Sequence, residues 1–467
     1  VIVVLRGNSF AEVRGAPAAF LANLRTHLAV PLEPTNDAAA QARAESRFGK
    51  VFFYEGAPWG SLVRDDGRVP AGLTAHVLAL AQHYGLHAEY RDVRAPPEEQ
   101  YPLHAVRAKW REYQDAVQRK IVVYGSGVID APPRSGKTLM AARAIDAHAQ
   151  PTIYIAPSVQ IVRQTYEVFC SHFGEDLVAR LDGEARPEQR DVSKLIVVST
   201  SASAVRQPPE WWATRRMLIL DEFHHSAAET YHRINELACN AYYRLAFTGT
   251  HFRSGADELA MQAVASQVLY QIPISYLVQH GYLAAPRIVQ LPVRAPSLAG
   301  LPWEDAYQQG IVECDARNEA ITKLACGLAD NGIPTIVLTK RRVHADLLGD
   351  RIPESVVVKG GEGALTSSAV KAFCDGRGYV LVGTSVIGEG VDVPRAAALV
   401  YASAGDASVG MMQSYFRPLT ARDGKSVGLI YDFDDRHHGT LRKHAASRRT
   451  FAESYIGTTV VVPGGGA

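Results

Sequence analysis

The stretch VIDAPPRSGKTLMAARA, residues 128–144, limits the possible fold more than any other. A short apolar run ends in small and polar residues, and an Ala-rich helical segment opens a few positions later. An apolar run of this kind reads as a parallel strand buried on both faces, so a strand–loop–helix unit is expected. The loop ahead of Gly136-Lys137-Thr138 can wrap backbone N–H groups around a polyphosphate at a helix N-terminus. In that geometry Pro133, Arg134, Ser135 and Gly136 line the phosphates, Lys137 reaches the β/γ-phosphates, and the Thr138 hydroxyl ligates Mg²⁺. Ala131 stands where a first glycine is usual. A plain helix cap at Ser135 would leave Lys137 and Thr138 unexplained.

The same grammar recurs along the chain. GSGVIDA, TIYIAP, KLIVVST, RMLILDE and YRLAFTGT are five strand candidates, each closing on small or polar residues. A second alternating block holds PTIVLTK, SVVVKG, YVLVGTS, AALVYAS and VGLIYDFD. Ligand-handling loops are then expected at the strands' carboxyl ends. Ahead of both blocks, VIVVL, KVFFYEG and HAEYRDVR read as strands, and PAAFLANLRTHLAV, DAAAQARAESRFG and GLTAHVLALAQHYGL as helices. APPEEQYP and LPVRAPSLAGLPWED break the pattern with Pro and Gly. The expected layout is a small α/β domain over 1–100, an α/β lobe over 103–290 and a second over 306–460.

Composition excludes little. With 49 Lys and Arg against 48 Asp and Glu, the net charge is +1, so any grip on a polyanion must come from local basic charge. The five cysteines, Cys170, Cys239, Cys314, Cys326 and Cys374, form no CxxC pair, which argues against a zinc site or disulfide framework and for reduced thiols in a cytoplasmic protein. No run approaches the length of a membrane span, and the N-terminus lacks a basic region followed by a long apolar core, so neither a membrane role nor a secretory signal is expected.

MLILDEFHHS, residues 217–226, is the second chemical element. Its apolar strand delivers Asp221 and Glu222 to a carboxyl end. There Asp221 can hold Mg²⁺, and Glu222 can orient and deprotonate an attacking water. The ordinary reading of His224 and His225 is a solvated turn.

Asp221-Glu222-Phe223-His224 resembles the DExH box of superfamily 2 helicases, and other motifs of that family fall into order around it. WREYQDAV resembles the adenine-reading element, with Gln114 as reader and Arg111 beside it. IAPSVQIVRQ, with Pro157, Ser158 and Arg163, and VVSTSAS, with Thr200, resemble strand-binding segments. FTGTHFR resembles the coupling motif, in which Thr248 and Thr250, with His224, link the ATP site to the strand. PTIVLTKRRVHADLL would set Thr339, Lys340 and Arg341 beside the nucleic-acid backbone. In YVLVGTSVIGEGVDVP, the resemblance gives Thr384 a strand phosphate and turns Gly388, Glu389, Gly390 and Asp392 toward the nucleotide. It implies two tandem RecA-like domains preceded by the small α/β domain, ATP between the lobes with Mg²⁺, and single-stranded, forked or branched DNA across them. Phosphate contacts would dominate, since the motifs contain no dense aromatic platform.

The layout is similar to XPB-like and phage UvsW-type helicases, which implies an ATP-dependent DNA helicase or translocase. The motor of a restriction or defence complex, an RNA helicase, or a nucleic-acid clamp with feeble ATPase are the alternatives. The last rests on MQSYFRPLTARDGK, residues 411–424. Against the family pattern Q-x-x-G-R-x-x-R, Gln413 and Arg417 match, whereas Phe416 replaces Gly and Thr420 replaces the second Arg. Arg417 is expected to act as the arginine finger, with Arg422 in reserve.

Overall fold

The structure, a computed structural model, describes residues 1–31, 51–54, 57–103, 108, 110–222, 228–249, 255–359, 363–384, 393–406, 409–422 and 424–462. The chain divides into two compact units, Val1–Pro132 with Gly136–Ile272, and Pro133–Ser135 with Pro273–Ala467.

The first unit opens with β1 (Ile2–Arg6), β2 (Phe10–Arg14), β3 (Ala29–Pro31), β4 (Val51–Tyr54), β5 (Ala57–Ser61), β6 (Arg68–Pro70) and β7 (Ala88–Asp92). They form a four-stranded sheet in the order β6-β2-β1-β7 and a small antiparallel sheet β3-β5-β4. The helices Ala18–His27 and Thr74–His83 fall where the apolar spacing placed them. The expected helix DAAAQARAESRFG lies outside the described residues. β2, β5 and β6 escape the sequence pattern: β2 alternates in burial but carries apolar Phe10 on its outer face, β5 contains Pro58 and Gly60, and β6 is three residues.

β8 (Ser126–Asp130), β9 (Thr152–Ala156), β10 (Val178–Leu181), β11 (Ile196–Thr200), β12 (Met217–Asp221), β13 (Tyr243–Thr248) and β14 (Val268–Gln271) build the main sheet, in the order β10-β11-β9-β12-β13-β8-β14. Every pairing in it is parallel. The central strands β8, β9 and β12 are buried at every position, which is why their sequences show no alternation. The two edge strands, β10 and β14, are the ones that sequence reading missed.

The N-terminal sheets are fastened to this lobe. Leu259, Ala260 and Ala263 of the helix Gly255–Ala265 enter the same apolar core as Val4, Phe20 and Leu73. Gly72 lies so close to that helix that a Cβ on it would meet the Gln262 carbonyl at 1.8 Å. Arg244, buried at the start of β13, donates to Ser9 Oγ at 2.7 Å and to Asn235 Oδ1 at 2.6 Å. The described N-terminal elements therefore share a core with the first lobe while keeping their own sheets.

The second unit holds β15 (Ala285–Pro292), β16 (Thr335–Leu338), β17 (Val356–Val358), β18 (Val380–Gly383), β19 (Ala398–Tyr401) and β20 (Val427–Asp434) in the order β15-β20-β19-β16-β18-β17, again all parallel. Here the structure corrects the expected boundaries at 290 and 306. β15 pairs along its whole length with β20, so residues from Pro273 onward group with the second unit. Pro286 and Pro292 in β15 disguise it as a linker, and its edge position is what tolerates them. Beneath the carboxyl end of β20, Arg317 bridges Asp435 at 2.9 Å and Arg448 bridges Asp432 at 2.8 Å, all four side chains buried. Two tandem parallel α/β lobes behind a small α/β domain are the RecA-like arrangement expected.

Candidate nucleotide and strand sites

In the first lobe the carboxyl ends of β8, β13 and β12 stand side by side, with Asp130 opposite Thr248 and Phe247 opposite Asp221. The loop after β8 turns through left-handed conformations at Arg134 (φ 71°) and Gly136 (φ 82°). A non-glycine residue in that region costs about 1 kcal/mol. Such turns aim successive amides at one point, as an anion-binding loop requires. The helix Lys137–His148 then starts with Lys137 and Thr138 in its first turn, so its positive end also faces that point. Ser135 is fully buried, and Pro133 and Arg134 are half-buried.

Lys137 Nζ forms an ion pair with Glu222 and lies 3.4 Å from the Ala131 carbonyl. Glu222 sits in the left-handed region (φ 44°), just past β12, and its backbone N–H donates to Phe247 O at 2.9 Å. Its Oε2 accepts from the Gly249 amide at 3.3 Å. The Thr248 carbonyl in turn accepts from the Ala131 amide at 2.7 Å. Thr248 is fully buried. The strand that carries the expected coupling residues thus touches both the phosphate loop and Glu222 through its backbone.

Asp221 is 7% exposed, and its Oδ1 is buried with no hydrogen-bond partner among the described residues. Burial, and then the neighbouring Glu222, raises its carboxyl from 3.8 to about 6, while Lys137 and Tyr154 hold it down. A buried carboxylate oxygen without a donor is a natural ligand for a hard cation. Among the described residues no group of three His, Cys, Asp or Glu could hold a metal alone. Mg²⁺ does not need one: a single carboxylate, a hydroxyl, waters and substrate phosphates suffice. Asp221 and Thr138 therefore fit that ion. Sequence reading missed Tyr154 and the Gly249 amide. Tyr154 sits mid-strand in TIYIAP, and only the pairing of β9 with β12 brings it beside Asp221.

Gln114 is buried against the loop, so close that a Cβ on Gly136 would meet its Nε2 at 2.7 Å. Its Oε1 accepts the Arg111 amide at 3.1 Å, capping the helix Glu112–Tyr124. Gln114 and Arg111 are thus brought to the phosphate loop. Ser158 caps the helix Val159–Phe173 at the end of β9, accepting from Ile161 N at 3.3 Å. Thr200 caps a short helix at the end of the adjacent β11, accepting from Ser203 N at 3.3 Å. Pro157 precedes the first cap and Arg163 is exposed one turn on.

In the second unit Thr384 is buried at the carboxyl end of β18 and Lys340 is exposed just past the neighbouring β16. Thr339 is fully buried at the end of β16, and its hydroxyl bonds to the carbonyls of Arg341 and Gly383 at 3.2 and 3.3 Å, which ties two loops. Arg341 pairs with Glu304 and donates to Gln308 Oε1 at 3.2 Å. Gln413 is half-buried on the helix Val409–Tyr415. Arg417 opens the 3₁₀ turn Arg417–Leu419 and is 8% exposed, whereas Arg422 is exposed in a turn paired with Lys425. Phe416 is fully buried with an ordinary φ of −78°, so its packing, rather than backbone freedom, sets this position. His224, His225, Thr250, Gly388, Glu389, Gly390 and Asp392 lie outside the described residues.

A parallel sheet with a phosphate loop after one strand and an Asp-Glu pair two strands away defines a P-loop nucleotide-hydrolase lobe, here followed by a second RecA-like lobe. Residues 107–253 match the family described as Type III restriction enzyme, res subunit. The chain is 21% identical over 342 residues to the ATP-dependent DNA helicase UvsW of Enterobacteria phage T4, covering 69% of this chain and 68% of UvsW. It is 25% identical over 193 residues to the DNA 3'-5' translocase XPB2 of Sulfurisphaera tokodaii, covering 41% of this chain and 42% of XPB2. It thus spans less than half of XPB2's length. Among solved structures, the ATP-dependent Type ISP restriction-modification enzyme LlaBIII bound to DNA shares the fold, with a TM-score of 0.52 and 16% identity over 69% of this chain and 27% of that one. The chain is thus similar to UvsW and XPB2 over these shares, and its residues 107–253 match the res-subunit family.

Proposed function

We propose that the chain is an ATP-dependent DNA helicase or translocase, which hydrolyses ATP with Mg²⁺ to move along and unwind or remodel single-stranded, forked or branched DNA. The observation that carries the reading is the buried Lys137–Glu222–Asp221 set at the mouth of the phosphate loop. Lys137, released from Glu222, binds the β/γ-phosphates, and the loop amides hold the remaining oxygens. Glu222, freed of its cation, accepts the proton of the attacking water. Asp221 and Thr138 would hold Mg²⁺, which would supply charge neutralisation at the phosphates. The Gly249 amide on Glu222 makes the coupling strand sensitive to that carboxylate's position.

On the strand side, Ser158, Thr200, Lys340 and Thr384 supply sequence-independent contacts, as phosphate-dominated binding requires. The names of UvsW and XPB2 favour DNA. Five free cysteines fit a reducing cytoplasm. Among the described residues no helix is long and apolar enough to cross a membrane. A second reading, the motor of a restriction complex with its nuclease on another chain, draws on the matched family's description and the likeness to LlaBIII.

One assay set tests both. Phosphate release is measured with no nucleic acid, single-stranded DNA, duplex, a branched junction and RNA, together with strand displacement. DNA stimulation with unwinding is expected. Stimulation by RNA alone would sink the proposal, and duplex stimulation without unwinding would favour the restriction motor. Lys137→Ala should abolish turnover.

A further inference from the structure

The second unit assembles an aromatic cluster that no single stretch of sequence contains, with partly buried Trp303 packed over Tyr307, which is itself buried. Trp303, half-buried on the helix Trp303–Tyr307, meets the His444 ring edge-on at 5.1 Å, Tyr307 at 5.5 Å and His438 at 6.4 Å. Lys340 Nζ and the Arg341 guanidinium lie over the Tyr307 ring, 5.6 and 5.2 Å from its centroid. The cluster draws on three distant segments: residues 303–307, the loop after β16, and the turn and helix after β20.

Its place in the fold gives it meaning. The Tyr307 hydroxyl donates to Ser403 O at 2.8 Å, just past β19, and His438 precedes the helix Gly439–Phe451 that follows β20. Lys340 follows β16, which lies between β19 and β18, and Thr384 ends β18. The platform therefore extends, along one sheet edge, the row of phosphate contacts proposed above.

Local charge fits a polyanion. Lys340 is exposed beside it, exposed Arg442 and Lys443 lie on the same helix as His444, and Arg341 pairs with Glu304. The acids it meets include Glu304, paired with Arg341, Asp406 near His444, and buried Asp435 near Tyr307. Among the described residues the Trp303 indole N–H has no hydrogen-bond partner. A partly exposed indole set against two imidazoles, with Lys340 close to His444 and over the adjoining Tyr307 ring, is suited to stacking on an unpaired base while the cation takes an adjoining phosphate.

We propose that Trp303 is a base-stacking station for single-stranded nucleic acid, flanked by Lys340 and His444. This rests on the DNA reading above. It adds a base contact to a strand grip otherwise made of phosphate contacts, and it is sequence-tolerant because every base has a π-face.

The test measures affinity of the full chain for an oligo-dT strand and for an abasic strand of equal length and charge. Trp303→Ala should weaken oligo-dT binding about tenfold and leave the abasic strand within about twofold. Lys340→Gln should weaken both strands alike and lower the salt slope by about one. If Trp303→Ala does not fold, Trp303→Leu keeps apolar bulk without an aromatic face and should show the same selective loss. Equal affinity of either folded variant and the wild type for oligo-dT would overturn the station. An equal loss on both strands would also overturn it, reducing Trp303 to scaffolding. Wild-type protein binding neither strand would instead overturn the DNA reading, and the station with it.

Discussion

Asp221→Asn should make the nucleotide-free protein more stable and catalytically dead. In the native fold, burial and Glu222 lift the Asp221 carboxyl from 3.8 to about 6. A rise of about two units corresponds to about 3 kcal/mol against the folded state wherever the group is ionised in both states. The sign follows from proton binding. Between about 4 and 6 the native chain holds the proton more tightly than the unfolded chain, so stability falls as pH rises through that window. Above about 6 the full penalty is present; at pH 4.5 it shrinks to about 1 kcal/mol. Asparagine carries no charge and escapes the penalty, while Lys137 keeps Glu222 as its partner. Thermal melts without nucleotide should show a gain of roughly 1–3 kcal/mol at pH 7.5, a few degrees for a unit of this size, and a smaller gain at pH 4.5. Phosphate release should fall to background, because the carboxylate suited to the metal is gone. A destabilised Asp221→Asn protein at pH 7.5, an equal gain at both pH values, or retained turnover would each refute the reasoning.

The remaining predictions concern the other site residues. Glu222→Gln should keep ATP binding, read by nucleotide affinity, but slow hydrolysis by about 10²–10⁴; loss of nucleotide binding would show that Glu222 is structural. Arg417→Ala should cut turnover by about 10³ or more, while exposed Arg422→Ala should stay near wild type, and the reverse order would make Arg422 the finger. Phe416→Gly, which restores the family residue, should lower the melting temperature by removing a fully buried ring worth about 3–5 kcal/mol, with no gain in ATPase.

Much of this machine was legible in residue order. A buried parallel strand must be apolar at every position and must end in residues that tolerate a turn, so β8, β9, β11, β12, β13 and the core strands of the second sheet announced themselves. The phosphate loop and the Asp221-Glu222 pair were legible for the same reason: each is a local geometry of strand end and helix start. Three edge strands were not, although the edge strand β17 was: β10 and β14 are four-residue runs broken by Arg180 and Gln271, and β15 carries two prolines that only an edge position permits.

What the chain order alone determined is which local pieces exist, since a strand, a loop and a helix N-terminus are fixed by neighbours in sequence. Tertiary structure decided what each side chain is for. Thr339 was placed correctly at the end of β16, yet close packing buried its hydroxyl against two carbonyls. Tyr154 became a neighbour of Asp221 only through sheet order. Trp303, His438 and His444 became one surface only because β19, β20 and β16 end side by side. Contacts between residues more than a hundred positions apart depend on strand order and burial, and neither is written in any one stretch of sequence.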